Sequence, residues 1–182
     1  MMPPTVTRDF LLEAVSDTEL LRRYHQGDLG SFEVVFGRHA PALLLYARSL
    51  LHEASHAEDV VQESFIRLMT YDPERIESGV RSFLCAVARN LITDERRRLA
   101  VRARTHPVPE TRSSDAPADR RQERILSSLE QLPPEQRETV LLKIYADLTF
   151  EEVAKITGVP APTCVSRYRY ALQKLSQLLG ED

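Results

Sequence analysis

Residues His52 to His56 read HEASH, a literal match to the H-E-x-x-H pattern in which two histidines one helical turn apart hold zinc and the glutamate acts as a base. A third ligand is not marked. Glu74 or Glu77 could be nominated by distance, but each sits in a stretch that reads as loop, and a short pattern with two free positions arises by chance. No metal is therefore expected. Cys85 and Cys164 lie in separate apolar-periodic segments and match no C-x-x-C pairing, which points to two buried thiols rather than a disulfide or a cysteine zinc site. Neither a phosphate-binding glycine loop nor a nucleophile elbow is present, so the sequence gives no reason to expect an enzyme or a cofactor.

The remaining chemistry is electrostatic. VRSFLCAVARNLITDERRRLAVRAR carries Leu84, Val87, Ala88 and Leu91 at helical spacing, which leaves Asn90, Thr93, Asp94 and Arg97 on another face. Asn and Asp can hydrogen-bond base edges, while Arg96, Arg97, Arg98, Arg102 and Arg104 can neutralise phosphates. A helix C-terminus favours cations through its dipole, but five arginines between Arg96 and Arg104 exceed that need.

A second cationic segment, LTFEEVAKITGVPAPTCVSRYRYALQKL, has the spacing of a helix-turn-helix. Thr149 and Glu152 suit a capping box, Ala154 is small where a second helix would cross, Gly158 falls at the turn, and Pro162 fits the first position of the next helix. From Pro162 to Leu179 there is no acid, and Thr163, Ser166, Arg167, Arg169 and Lys174 are available to a major groove. AEDVVQESFIRLM differs in sign. Val61, Phe65, Leu68 and Met69 make its core face, whereas Asp59, Gln62, Glu63 and Ile66 form an acidic and amide patch with an apolar edge, suited to a basic helical partner.

Positioning these surfaces requires helices throughout, since apolar residues recur at three- and four-residue spacing and β-branched alternation is scarce. The expected fold is all-α, in two small helical domains. Ser16 with Glu19 should cap a first helix that ends near Gly27 and Gly30; Ser31 should cap a second with Phe32, Val35 and Phe36 on one face and a break or kink at Pro41. A third helix is expected from about Ala57 to Thr70 and a fourth from about Val80 to Arg102. RTHPVPETRSSDAPADR, with three prolines and few large apolar residues, reads as a flexible linker that leaves the halves free to reorient. The boundaries are then 1–15 for an extension, 16–103 and 121–182 for the domains, and 104–120 for the linker.

The overall charge of −3 hides blocks: seven acids against two arginines from Leu51 to Ser78, and seven arginines against two acids from Arg81 to Arg104. One face suits a basic protein and another suits phosphates. No stretch reaches the ~20 apolar residues of a membrane span, and the first ten residues carry no signal-peptide pattern, so a cytoplasmic location without membrane insertion is expected.

DVVQESFIRL followed by RSFLCAVARNLITDERRR resembles region two of sigma-70-type factors, and LPPEQRETVLLKIYADLTFEEVAKITGVPAPTCVSRYRYALQKL resembles their region four. With only a short join between them, the chain looks like the extracytoplasmic-function group. The resemblance implies a sigma factor that recruits core RNA polymerase to promoters, contacting the clamp and flap of its large subunits. Asp59, Gln62, Glu63 and Ile66 would then grip the polymerase. Arg89, Asn90, Thr93, Asp94, Arg96, Arg97 and Arg98 would engage the minus-ten element, with Thr70 to Gly79 as the specificity loop. Thr149, Pro162, Thr163, Ser166, Arg167, Arg169 and Lys174 would engage the minus-thirty-five element. An anti-sigma factor is a further candidate partner. The chain departs from the family where Pro162 replaces the usual glycine, Cys164 a valine and Val165 a basic residue, and where the usual region-two tryptophan is missing near Cys85. Two other classes remain open on sequence: a helix-turn-helix regulator with no polymerase contact, which leaves the acidic patch idle, and a zinc peptidase, which explains HEASH alone.

Overall fold

The computed structural model describes residues 14–51, 53–105 and 120–180. His52, the N-terminal extension up to residue 13 and linker positions 106–119 lie outside the described residues. Every regular element among those described is helical.

Helix α1, Asp17–His25, starts at Ser16, whose hydroxyl accepts the Glu19 N–H at 3.3 Å. The reciprocal half of the expected capping box is missing, because the Glu19 carboxylate instead receives Arg22 at 3.3 Å and Arg23 at 3.0 Å. Helix α2, Leu29–Leu50, begins a little earlier than Ser31 would have started it. Asp28 occupies the N-cap, and buried Ser31 donates its hydroxyl to the Asp28 carboxylate at 3.0 Å. Pro41 lies inside α2 without ending it. The carbonyl that loses its donor there belongs to Gly37, and both residues are exposed, so water can satisfy the orphaned oxygen.

Helix α3, Ala54–Thr70, opens three residues ahead of the expected start and takes His56 into its first turn. A 3-10 turn, Pro73–Arg75, joins it to α4, Gly79–Thr105, the longest helix. Leu20 and Leu21 of α1, Leu43 and Ala47 of α2, Phe65 and Leu68 of α3, and Leu84 and Ala88 of α4 meet in one core. Cys85 is buried in it, as expected of that thiol, and so is Ile92, each 3 % exposed, whereas Val87 and Leu91, expected to face inward, are half-buried. Burial raises the Cys85 thiol to about 12, outweighing the opposing pull of Arg81, so this sulfur is an inert packing group.

The C-terminal half contains α5, Arg120–Glu130; α6, Pro134–Val140, continued by a wider π-type turn over Leu141–Tyr145; α7, Phe150–Thr157; and α8, Ala161–Leu179. The α6–α8 and α7–α8 pairs enclose Val140, Leu142, Val153, Cys164 and Ala171.

The two halves also pack on each other: α2 lies against α5, α6 and the π-type turn, and α4 lies against α7. This differs from the expectation of freely reorienting domains. Linker composition governs only the linker; it carries no information on the helix faces at either side. Tyr46 of α2, 1 % exposed, is one such face, and its hydroxyl donates to Glu138 of α6 at 3.1 Å.

Candidate nucleic-acid interface

Helix α3 turns Val61, Phe65 and Leu68 into the core, with Met69 half-buried. Asp59 and Gln62 are exposed, and Ile66 is 45 % exposed, while Glu63 is half-buried and accepts from Arg67 at 2.8 Å. Phe36, Gln62, Phe65, Ile66 and Met69 line a shallow apolar hollow of about 310 Å³ beside these acids. The sequence placed Phe36 on one face with Phe32 and Val35 and gave it no part in this patch; at 46 % exposure it belongs to the hollow's wall, its ring centroid 4.7 Å from that of Phe65. An apolar seat flanked by carboxylates fits an amphipathic basic helix.

On α4, Asn90, Thr93, Asp94, Arg96, Arg97 and Arg98 are all exposed, on the side away from Leu84, Ala88 and Ile92. Thr93 returns its hydroxyl to the Arg89 carbonyl at 2.8 Å. Arg97 sits 3.7 Å from Asp94, and Arg98 is 3.6 Å from Glu95. Arg89 stands apart. It is half-buried, donating through Nε to Glu138 at 2.9 Å and through Nη2 to the Thr157 carbonyl at 3.3 Å.

Thr149 caps α7 with both halves of the capping box formed: its hydroxyl accepts the Glu152 N–H at 3.2 Å, and Glu152 accepts the Thr149 N–H at 2.8 Å. Gly158 then takes φ +74°, the left-handed conformation that turns the chain sharply into α8. Pro160 is the N-cap and Ala161 the first helical residue, so Pro162 comes one position later than expected, still within the first turn where its missing N–H is harmless. Pro162, Thr163, Ser166 and Arg169 are exposed, and Arg167 is half-buried. Ser166, Arg169, Tyr170 and Gln173 border one hollow of about 380 Å³ on the outer face of α8. Lys174 is directed elsewhere, donating to the Gln131 carbonyl at 2.6 Å. Among the described residues no ion pair involves Arg167 or Arg169, and none of α8 is acidic.

His56 lies 3.4 Å from Glu53 and 3.9 Å from Glu95. No group of three candidate metal ligands occurs among the described residues. At the seam between the halves, Arg137 donates to the Ser49 carbonyl at 3.0 Å and shares a cavity of about 290 Å³ with Arg96, Leu50 and Leu99. Burial lowers the pKa of Arg137 below its ordinary value; Glu130 opposes this and the like charge of Arg96 adds to it. Arg81 reaches the Ala146 carbonyl and Asp147, both at 3.3 Å. These seam residues carried no signal in the sequence, since their partners are dozens of positions away.

Comparison with known proteins places both halves. Residues 35–102 match the sigma-70 region 2 family, and residues 122–175 match sigma-70 region 4. The chain is 29% identical over 173 residues to the RNA polymerase sigma factor CarQ of Myxococcus xanthus, covering 88% of this chain and 96% of that protein. It is 31% identical over 159 residues to the ECF RNA polymerase sigma factor SigL of Mycobacterium tuberculosis, covering 81% and 88% respectively. Among solved structures, CnrH in complex with the cytosolic domain of CnrY superposes with a TM-score of 0.63 at 26% identity, covering 91% of this chain and 98% of that one. The sigma factor RpoE of Bartonella quintana, solved with the anti-sigma factor NepR, gives a TM-score of 0.70 at 23% identity over 85% of this chain and 99% of that one, a likeness of fold.

Proposed function

The chain belongs to the sigma-70 family, in its extracytoplasmic-function group, and serves promoter-specific transcription initiation by RNA polymerase; from that premise we propose which of its surfaces performs each part. The observation that carries the assignment is the reader helix: α8, held by a complete capping box and a left-handed Gly158, presents Ser166 and Arg169 on an acid-free outer face. Such a helix reads the minus-thirty-five element in the major groove, with Arg167 and Arg169 contributing base or phosphate contacts and Thr163 near the backbone. Lys174 supports the helix against the α5–α6 corner instead.

Asp59, Gln62, Glu63 and Ile66, with Phe36 added, seat a basic helical segment of the polymerase. Asn90, Thr93 and Asp94 face a minus-ten base once it is unstacked, and Arg96, Arg97 and Arg98 hold the phosphates alongside. No catalytic group is required for opening. Capture of an exposed base offsets part of the cost of unpairing, and the family acts as a DNA-binding regulatory subunit. Work alongside RNA polymerase puts the protein in the cytoplasm, and no helix among the described residues is long and apolar enough to cross a membrane. Because RpoE and CnrH were each solved with a partner protein, an anti-sigma factor is proposed for this chain too.

Run-off transcription with purified core polymerase tests the reading. Wild-type protein should give promoter-dependent transcripts, and Asp59→Ala with Glu63→Ala should weaken core binding while DNA affinity is kept. Undiminished core binding by that double variant overturns the polymerase assignment.

A further inference from the structure

We propose that α1 positions the loop over residues 70–79, with Arg22 and His25 as the two residues that fix its pose, and that this pose helps set which minus-ten base the protein accepts. The inference rests on the minus-ten role argued above for α4. Arg22 and His25 lie three residues apart at the end of α1, so they share one face. Each holds a different part of the same short stretch. His25 Nε2 donates to the Met69 carbonyl at 3.0 Å, one of the last carbonyls of α3, which has no donor within its own helix. Arg22 Nε donates to Glu74 of the 3-10 turn at 2.5 Å, and Glu19, one turn back, accepts a second guanidinium nitrogen at 3.3 Å and so orients the side chain. Asp72 braces the turn from within by accepting the Glu74 N–H at 3.0 Å.

The stretch held by this frame lies beside the proposed base site. The Tyr71 ring centroid is 4.6 Å from that of Phe83 on α4, and Tyr71, Ile76 and Glu77 border a cleft of about 390 Å³ that Ser82, Phe83 and Ala86 of α4 also line. Asn90 comes one helical turn after Ala86 on the same helix, so the loop flanks a base captured there. Both partners of the Arg22–Glu74 pair are open to solvent, their side chains 45% and 63% exposed. Such a pair adds little to global stability, so its effect falls on the local pose of the loop rather than on folding. The sigma-70 region 2 match begins at residue 35, after α1 has ended. Variation in α1 can therefore alter promoter choice while the matched region stays the same.

Permanganate footprinting and run-off transcription by the holoenzyme, on a promoter panel that varies only in its minus-ten bases, test this. Core-polymerase affinity, affinity for the minus-thirty-five duplex and thermal melting serve as controls. Arg22→Met keeps the apolar stem and removes the guanidinium. It should reduce the preference for the favoured minus-ten sequence by up to about fivefold, the reach of an exposed ion pair, with all three controls unchanged. Glu74→Gln should act in the same direction, and Arg22→Lys should restore part of the preference. Combining Arg22→Met with Glu74→Gln should cost no more than the larger single loss, because both break one tie. Additive losses mean that Arg22 touches DNA itself and overturn the positioning role. Should Arg22→Met fold poorly, Glu74→Gln, on an exposed turn, carries the same decision. Wild-type preference retained undiminished in Arg22→Met and Glu74→Gln overturns the inference alone. A wild-type holoenzyme with no preference across the panel overturns the minus-ten role, and the inference with it.

Discussion

Helices α4 and α8 are both long and both carry more basic than acidic residues, yet their charges are arranged in different ways. On α4, three guanidiniums stand beside acids: Arg97 near Asp94 and Arg98 near Glu95 on the helix itself, and Arg89 against Glu138 of α6. Helix α8 contains no acid from Ala161 to Leu179, and the turn at Gly158 aims its first half outward. Exposed i,i+3 pairs like those on α4 contribute about 0–1 kcal/mol, so phosphates can compete for these arginines at small cost. The contrast separates two tasks. On the proposed reading, helix α4 combines exposed amide and carboxylate groups with local neutralisation, which would suit holding a melted strand; α8 offers arginines without ion pairs on a capped scaffold, which would suit reading a duplex groove.

The largest effect that could break this comparison comes from α8. Arg169→Ala should cost about 1–3 kcal/mol on the cognate minus-thirty-five sequence and relax selectivity at one position, as measured by binding across a substitution series. A uniform loss over all sequences would instead make Arg169 a phosphate contact like those of α4. Next comes the scaffold: Thr149→Ala removes the capping box that orients the reader helix and should lower stability by ~1 kcal/mol in thermal denaturation. An unchanged melting curve would mean that packing of Val153 and Cys164 alone sets the turn.

Smaller still, Arg97→Ala or Arg98→Ala should weaken binding to all promoters alike and reduce the slope of log affinity against log salt by about one unit. Sequence-dependent loss from either substitution would erase the distinction between the helices. The smallest effect lies at the start of α1, where Asp17 meets His39 at 2.7 Å and Arg38 at 2.6 Å. Burial disfavours the Asp17 carboxylate, but hydrogen bonds from His39 and Arg38 outweigh it and hold its pKa below the ordinary 3.8. A group depressed in the folded state adds stability above its unfolded pKa and loses it as pH falls through the folded value. Wild type should therefore lose stability below about pH 4 more steeply than Asp17→Asn, as followed by chemical denaturation at stepped pH; parallel curves would refute the linkage.

Local patterns were readable because their causes are local. The Thr149–Glu152 box, the Gly158 turn and the i, i+4, i+7 stripe of Val61, Phe65 and Leu68 each depend on neighbours within two helical turns, and each stands as its spacing suggested. Errors arose where two local signals competed. Ser31 was expected to cap α2, but Asp28 holds the N-cap position and receives the Ser31 hydroxyl on its carboxylate. Glu19 suited a capping box until Arg22 and Arg23, on the same face of α1, took its carboxylate.

The chain by itself determined its helical class, its two halves, the sign of each charged face and its resemblance to a family, because hydrophobic period and charge order are written along one dimension. Only the tertiary structure decided that Phe36 edges the α3 hollow, that Lys174 turns to the Gln131 carbonyl, and that Arg89 meets Glu138 across the seam. Those outcomes depend on distances between residues 43 to 49 positions apart for the last two, and a one-dimensional pattern has no term for a partner that arrives only through packing.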